Sequence, residues 1–149
     1  MNLKAVIQRV KEASVDIDGL ERGRIGMGLV LLLGIAKGDS FKDVNYLVEK
    51  VCNLRIFDDE EGKLNLSLMD KKGEILVISQ FTLLGNTRKG RRPGFDDAAP
   101  PEESRNLYED FVRVLRDNGL KVETGVFGAK MLVKILNDGP VTFIVESKV

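Results

Sequence analysis

The sequence contains no histidine and one cysteine, and both shortages narrow the possible chemistry. Without histidine the chain cannot build a Ser-His-Asp or Cys-His nucleophile pair, and it has no imidazole ligand for a metal. Cys52 cannot form an internal disulfide, and its apolar-periodic surroundings, residues 47–54, favour a core position over a reactive thiol. We therefore expect neither a metal nor another cofactor.

Long apolar runs are also absent. No stretch approaches the roughly 18 apolar residues that span a bilayer, and residues 1–10 lack the apolar segment of a signal peptide. We therefore expect a cytoplasmic protein without a membrane partner.

Neither charge dominates, since 23 basic and 23 acidic residues give a formal net charge of zero. This balance excludes the strongly basic composition of many nucleic-acid-binding proteins, so an anionic partner must be bound by a local patch. The length of 149 residues, 43% of them hydrophobic, is that of one ordinary domain with a substantial core. No repeat or linker divides the chain, so residues 1–149 are expected to form a single domain.

Apolar patterning predicts several strands. The first third is expected to be rich in hairpins, with strands at residues 5–7 and 13–18 followed by a turn at Gly19. The continuous apolar run Leu29–Ile35 is typical of a central strand buried on both faces. Later strands are predicted at residues 74–79, near Val122, and at residues 131–136 and 141–145.

Two main helices are predicted. Ser40 and Asp43 have the spacing of a capping box, and an apolar stripe follows from Phe41 to Leu54. The second helix begins near Pro100 and Pro101 and stops at Asn118-Gly119. We predict an α+β fold, in which curved, mostly antiparallel, barrel-like sheets form one compact domain with the two helices packed against them.

Two short runs concentrate charge. The acidic run Asp58–Gly62 lacks the spaced ligands of a calcium loop, so we interpret it as an exposed hairpin tip. A basic loop places four cations within five positions beside glycine: Arg88, Lys89, Arg91 and Arg92. Such a loop could bind phosphates, or it could be an ordinary solvated loop.

The segment Ser79-Gln80-Phe81-Thr82 follows a predicted buried strand, where hydroxyls and backbone N–H groups often converge on a ligand. Either hydroxyl would need a base to act as a nucleophile. Because histidine is absent, that base could be a lysine, a carboxylate or the substrate itself. A purely structural role for both hydroxyls is the alternative.

The segment Asn137-Asp138-Gly139-Pro140-Val141-Thr142 is denser in turn-forming residues than a simple connection requires. In a Gly-Pro dipeptide the cis peptide bond costs only about 0.5 to 1 kcal/mol, and it would re-aim two backbone carbonyls. An ordinary hairpin turn is the alternative.

Together, these two segments resemble the paired signature motifs of the bacterial and eukaryotic type of D-aminoacyl-tRNA deacylase. Neither Ser79–Leu83 nor Asn137–Thr142 departs from the pattern of that family. Further segments resemble the family in order and spacing: residues 8–10 with 13–15, 53–57, 90–93 and 125–131.

The resemblance implies a homodimeric hydrolase that cleaves the ester between a D-amino acid, or mischarged glycine, and the 3′ end of tRNA. A cis Gly139-Pro140 unit would insert across the dimer interface and exclude L side chains from the partner's site. A backbone wall of this kind discriminates by exclusion, whereas recognising one extra group in a hydrophobic pocket yields only about 1 to 3 kcal/mol. DNA is not an expected partner.

The resemblance also implies roles for individual residues. The catalytic segment would be Ser79, Gln80, Phe81 and Thr82. The substrate and adenosine pocket would include Phe127, Met131, Asn137 and Thr142. The tRNA phosphates would contact Arg88, Lys89, Arg91 and Arg92. Hydrolysis assisted by the ribose 2′-hydroxyl is favoured over a Thr82 nucleophile, and Arg9 is expected to be a structural ion-pair partner.

Two other classes of function stay open. The chain could be a non-catalytic module that binds RNA ends through the basic loop. It could also be a general hydrolase of small esters that acts through Ser79 or Thr82.

Overall fold

The frame of the protein is a six-stranded sheet that curves into a nearly closed barrel; the computed structural model describes residues 2–147. The elements in chain order are β1 (Lys4–Ile17), β2 (Leu20–Ile25), β3 (Gly28–Gly34), α1 (Phe41–Asn53), β4 (Phe57–Asp58), β5 (Leu64–Leu66), α2 (Leu68–Lys71), β6 (Glu74–Ser79), a 3₁₀ helix (Phe81–Leu84), α3 (Pro101–Asp117), β7 (Lys121–Thr124) and β8 (Leu132–Glu146). The predicted α+β class is confirmed.

The sheet is mixed, with the strand order β2-β1-β3-β6-β7 and with β8 paired to β1. Strand β1 is antiparallel to its three neighbours β2, β3 and β8. The pairs β3–β6 and β6–β7 are parallel, because α1 lies in the connection between β3 and β6, and α3 lies in that between β6 and β7. Three of the five strand pairs described in this sheet are antiparallel, which confirms the predicted mostly antiparallel pairing, and the two parallel pairs lie on the β6 side.

Both main helices begin where capping residues predict. Ser40 has extended backbone angles, and its N–H donates to Asp43 Oδ2 at 2.8 Å, which forms the predicted capping box. Helix α3 begins at Pro101 and ends before Asn118.

No helix within residues 2–147 is both long and apolar enough to cross a membrane.

The core lies on both faces of β3 and β6. Leu29, Leu31 and Leu33 belong to the larger cluster, which includes the buried faces of α1 and α3. Val30 belongs to a second cluster on the other face of the sheet, which confirms that this strand is central. Cys52 is buried in the larger cluster, and burial raises the pKa of its thiol to about 11, so it is a core residue as predicted.

The hairpin predicted around Gly19 is present, because the antiparallel strands β1 and β2 join there. Two predicted interruptions between strands are absent. The strands expected at residues 5–7 and 13–18 are parts of the single long strand β1. Likewise, the chain does not reverse at residues 137–140, because β8 pairs with β1 on both sides of that segment. The hairpin alternative for this segment is therefore wrong.

Residues 138–141 instead form an irregular bulge in β8. Thr142 pairs with Gln8 and Asn137 pairs with Val10, so four residues of β8 stand opposite the single residue Arg9 of β1. The peptide bond between Gly139 and Pro140, inside this bulge, is cis.

Candidate active site

A cleft of about 710 Å³ opens where β3 and β6 end and α3 begins. Its walls are mostly apolar, and its volume lies in the range of ordinary small-molecule sites. Polar side chains from three different parts of the chain also line it: Lys37, Ser79 with Gln80, and Ser104. The cleft can therefore hold a flat apolar group while a few polar atoms orient it.

The predicted catalytic segment forms one wall of this cleft. Ser79 ends β6 beside Leu33 of β3, and the Gln80 N–H donates to the Leu33 carbonyl at 2.8 Å. The chain then enters the 3₁₀ helix, which leaves the Phe81 side chain 56% exposed. Ser79, Gln80 and Phe81 line the cleft, whereas Thr82 is not among the lining residues.

Neither hydroxyl of this segment is paired with a base. Thr82 Oγ1 accepts a hydrogen bond from the Gln80 side-chain amide, which is not basic. Across residues 2–147, no carboxylate or amine is hydrogen-bonded to the hydroxyl of Ser79 or Thr82. This geometry does not activate either oxygen as a nucleophile.

An aromatic wall faces this segment. The Phe127 ring lies 5.8 Å from the Tyr108 ring, and the Arg105 guanidinium lies 5.1 Å from the Phe127 ring centroid. Tyr108 is fixed in turn, since its hydroxyl donates to the Val77 carbonyl at 2.9 Å and burial raises its pKa to about 12. Phe127 and Met131 both line the cleft, which brings them to the same site as the catalytic segment.

Asn137 and Thr142, predicted in the adenosine pocket, lie outside this cleft. Asn137 Oδ1 accepts the Val141 N–H at 2.9 Å, and its Nδ2 donates to Thr142 Oγ1 at 3.0 Å. Gln8 Nε2 also donates to Thr142 Oγ1, at 3.3 Å. These contacts hold the two ends of the bulge together, so both residues stabilise its shape.

Arg9 holds the bulge from the opposite strand and is only 7% exposed. Its Nε donates to the Asp138 carbonyl at 3.0 Å. Its Nη1 donates to the Ile56 carbonyl at 3.1 Å and to Asp58 Oδ1 at 3.3 Å. Arg9 therefore joins the acidic hairpin to the bulge, which agrees with the expected structural ion pair.

The basic loop lies apart from the cleft. Its base is closed by Asn86 and Gly94, whose N–H groups donate to each other's carbonyls at 2.7 and 2.9 Å. The four cations are exposed, and three of them line a shallow depression that also contains Asp96 and Asp97: Arg88, Lys89 and Arg92. The loop is thus a surface feature and forms no part of the cleft.

Comparison with known proteins identifies the family. The family model for D-Tyr-tRNA(Tyr) deacylase matches residues 6–146, which is almost the whole chain. The chain belongs to this deacylase family. The family membership inferred from the two signature motifs is therefore confirmed.

Full-length relatives of the deacylase family support this assignment. A protein of Thermosipho africanus is 56% identical over 146 residues, which cover 98% of each chain. One of Geotalea uraniireducens is 58% identical over 145 residues, covering 97% of this chain and 94% of the relative. Both relatives are named D-aminoacyl-tRNA deacylase, which is a hydrolase that acts on an ester bond, so the predicted enzyme class is confirmed.

Solved structures show the same fold. The structure named c-Myc DNA Unwinding Element Binding Protein is 45% identical, with a TM-score of 0.92 over 98% of this chain and 99% of that one. A probable eukaryotic D-amino acid tRNA deacylase superposes with a TM-score of 0.86 over 98% of this chain and 100% of that one. At 16% identity, the second match bears on the fold alone.

Sequence reasoning missed several cleft residues. Phe95 packs its ring edge-on against Phe81, with 5.1 Å between the ring centroids. The one feature of the sequence that could have indicated Phe95 is that it is an aromatic residue within a polar irregular segment. Lys37 and Ser104 belong to no recognisable motif, and the chain reaches the cleft at these residues only through tertiary pairing.

Proposed function

We propose that the protein hydrolyses the ester that joins a D-amino acid, or a mischarged glycine, to the 3′-terminal adenosine of tRNA. The observation that carries this proposal is the single cleft lined by Ser79, Gln80 and Phe81 on one side and by Phe127 and Met131 on the other. An aromatic face and a thioether suit a nucleobase, and the signature segment adjoins them. Because its substrate is charged tRNA, we propose that the protein acts in the cytoplasm.

The proposal is tested by giving the protein three substrates: D-aminoacyl-tRNA, the matching L-aminoacyl-tRNA and a simple aryl ester. We expect hydrolysis of the D-ester and little hydrolysis of the other two. Binding of tRNA without turnover would instead support an RNA-end binding module. Comparable cleavage of the aryl ester would support a general esterase.

We further propose that the ribose 2′-hydroxyl assists hydrolysis while the protein positions the ester. The absence of a base at Ser79 and Thr82, within residues 2–147, supports this route over a protein nucleophile. The N–H groups of Phe81 and Thr82 open the 3₁₀ helix and have no carbonyl partner inside it. They are the donors that we assign to the developing negative charge on the ester oxygen.

Chirality is proposed to be set by a second copy of the chain. Among the strands of residues 2–147, β8 is hydrogen-bonded to β1 only, and its exposed apolar side chains occur on both sides of the bulge: Leu132, Leu136, Phe143 and Ile144. Exposed apolar groups along a sheet edge favour pairing with another chain. In the proposed homodimer each bulge enters the partner's cleft, where the backbone around Gly139 and Pro140 leaves room for a hydrogen but not for an L side chain.

Replacing Ile144 by glutamate is expected to shift the protein towards monomer and to lower deacylation at least tenfold. Ile144 is 69% exposed within one subunit, so a charge there is tolerated by the monomer but would be buried in the proposed interface. Leu20→Glu is the matched control, because Leu20 is 71% exposed at the turn between β1 and β2. Sedimentation velocity and initial rates measure both effects, and a fully active monomer would contradict the shared site.

Replacing Arg91 and Arg92 by alanine is expected to weaken tRNA binding and to flatten its salt dependence. Each lost phosphate contact should lower the log–log slope by roughly 0.7 to 0.9. A short acylated adenosine should be hydrolysed at the unchanged rate, because the loop lies outside the cleft. Equal damage to both substrates would show that these arginines support the fold rather than bind tRNA.

A further inference from the structure

Among residues 2–147, Lys37 is the one charged residue that lines the cleft. The other lining side chains are apolar or carry neutral hydroxyl and amide groups. Because a charge buried without a partner is strongly disfavoured, the apolar interior cannot accommodate a phosphate. An anionic part of a substrate must therefore stay at the rim, where Lys37 lies.

The backbone holds this lysine in place. Ala36 pairs with Ala98 in an isolated bridge, and the Lys37 N–H donates to the Asp97 carbonyl at 3.0 Å. The Ala36 N–H donates to Asp39 Oδ2 at 2.7 Å, which fixes the turn that follows β3. These hydrogen bonds fix the backbone of Lys37 at the rim of the cleft.

The ammonium group of Lys37 is available for a ligand. Its side chain is exposed, and it forms no ion pair with any carboxylate of residues 2–147. Arg105 lies over the Phe127 ring and does not line the cleft, and neither does Lys130, which lies between two lining residues. The basic loop lines a separate depression.

We propose that Lys37 binds the phosphodiester on the 5′ side of the terminal adenosine of the substrate. The inference rests on the proposed function. With the base against Phe127 and the ester beside Ser79, the 5′ oxygen must lead the RNA chain out of the cleft. The first phosphate then meets the rim, where Lys37 supplies the one cationic lining side chain.

The test compares two small substrates: 3′-O-D-aminoacyl adenosine, and the same compound with a methyl phosphodiester on its 5′ oxygen. The wild-type protein should hydrolyse the phosphodiester about fivefold more efficiently in kcat/KM, the upper range for one exposed ion pair. Added salt should reduce this advantage. Lys37→Gln should lower the kcat/KM of the phosphodiester to that of the uncharged substrate, and Lys37→Arg should retain the preference.

The matched control is Lys71→Gln, which removes an exposed lysine at the end of α2 and should leave the preference intact. Equal hydrolysis of both substrates by the wild-type protein would overturn the Lys37 site, and so would an equal slowing of both by Lys37→Gln. Either result leaves the proposed function standing if D-aminoacyl-tRNA is still hydrolysed selectively. Failure to hydrolyse D-aminoacyl-tRNA would overturn the proposed function, and the Lys37 site with it.

Discussion

Replacing Gly139 by alanine is expected to slow deacylation of D-aminoacyl-tRNA by about 10- to 100-fold, or to collapse the preference for D over L substrates. Gly139 has a φ of +135°, a conformation that L residues rarely adopt. A Cβ atom there would lie 2.7 Å from Val141 Cγ2 and 3.2 Å from Arg9 Nη2. A strained backbone residue costs of the order of 1 to 3 kcal/mol, so the bulge should move and carry its carbonyls with it.

Gly19→Ala is the matched control for this change. Gly19 also has a positive φ, +80°, but a Cβ atom there would have no neighbour within 4 Å. It lies in the turn between β1 and β2, so its replacement should lower stability slightly and leave the rate unchanged. Initial rates with D- and L-aminoacyl-tRNA and melting temperatures separate the two cases. A folded Gly139→Ala protein with unchanged rate and selectivity would disprove the proposed chirality filter.

Hydrogen bonds hold the bulge from two sides, which suits the proposed exclusion of L side chains. Asn137 closes it from within, through bonds to Val141 and Thr142. Arg9 holds it from β1 and is itself tied to the acidic hairpin. In the proposed dimer, a wall supported on both sides would exclude any L side chain, so we expect rejection that does not depend on which L residue is presented.

Local sequence signals predicted helices α1 and α3 and the central strand, because each depends on contacts within a few residues. The capping box of Ser40 and the prolines before α3 mark helix starts, and the apolar run of β3 reflects burial on both faces. The long strand β8 was not predicted. Its Asn-Asp-Gly-Pro segment has the composition of a turn, whereas pairing with β1 on both sides keeps the chain extended.

The candidate site was predicted only in part, for the same reason. The family resemblance indicated Ser79, Gln80, Phe81, Phe127 and Met131, all of which line one cleft. The remaining lining residues arrive through pairing between distant segments, which leaves no local pattern: Lys37, Phe95 and Ser104 are examples. The sequence also does not show that Asn137 bonds to Val141 and Thr142 within the bulge, outside the cleft, because this arrangement depends on the folded strand.

A D-aminoacyl-tRNA ending in 2′-deoxyadenosine is expected to be bound normally but hydrolysed about 100- to 10 000-fold more slowly, the range typical of a lost proton-transfer group. In the proposed route, water attacks the ester carbonyl, and the adjacent 2′-hydroxyl assists departure of the 3′ oxygen. The cleft supplies position and N–H donors, and no side-chain base is hydrogen-bonded to Ser79 or Thr82 within residues 2–147. Single-turnover rates measure hydrolysis, and competition against uncharged tRNA measures binding.

The protein hydroxyls provide the complementary half of this experiment. Thr82→Val and Ser79→Ala should each retain measurable deacylation, with losses of about tenfold or less, because each removes one positioning contact and no nucleophile. Thr82→Val also removes the acceptor of the Gln80 amide, so its melting temperature and dimer content must be measured alongside the rate. If Thr82 attacks the ester, its loss should instead abolish turnover, and an acyl-enzyme should accumulate when deacylation is slow. Rapid cleavage of the deoxy substrate, or a trapped acyl group on Thr82, would place the reacting hydroxyl on the protein rather than on the RNA.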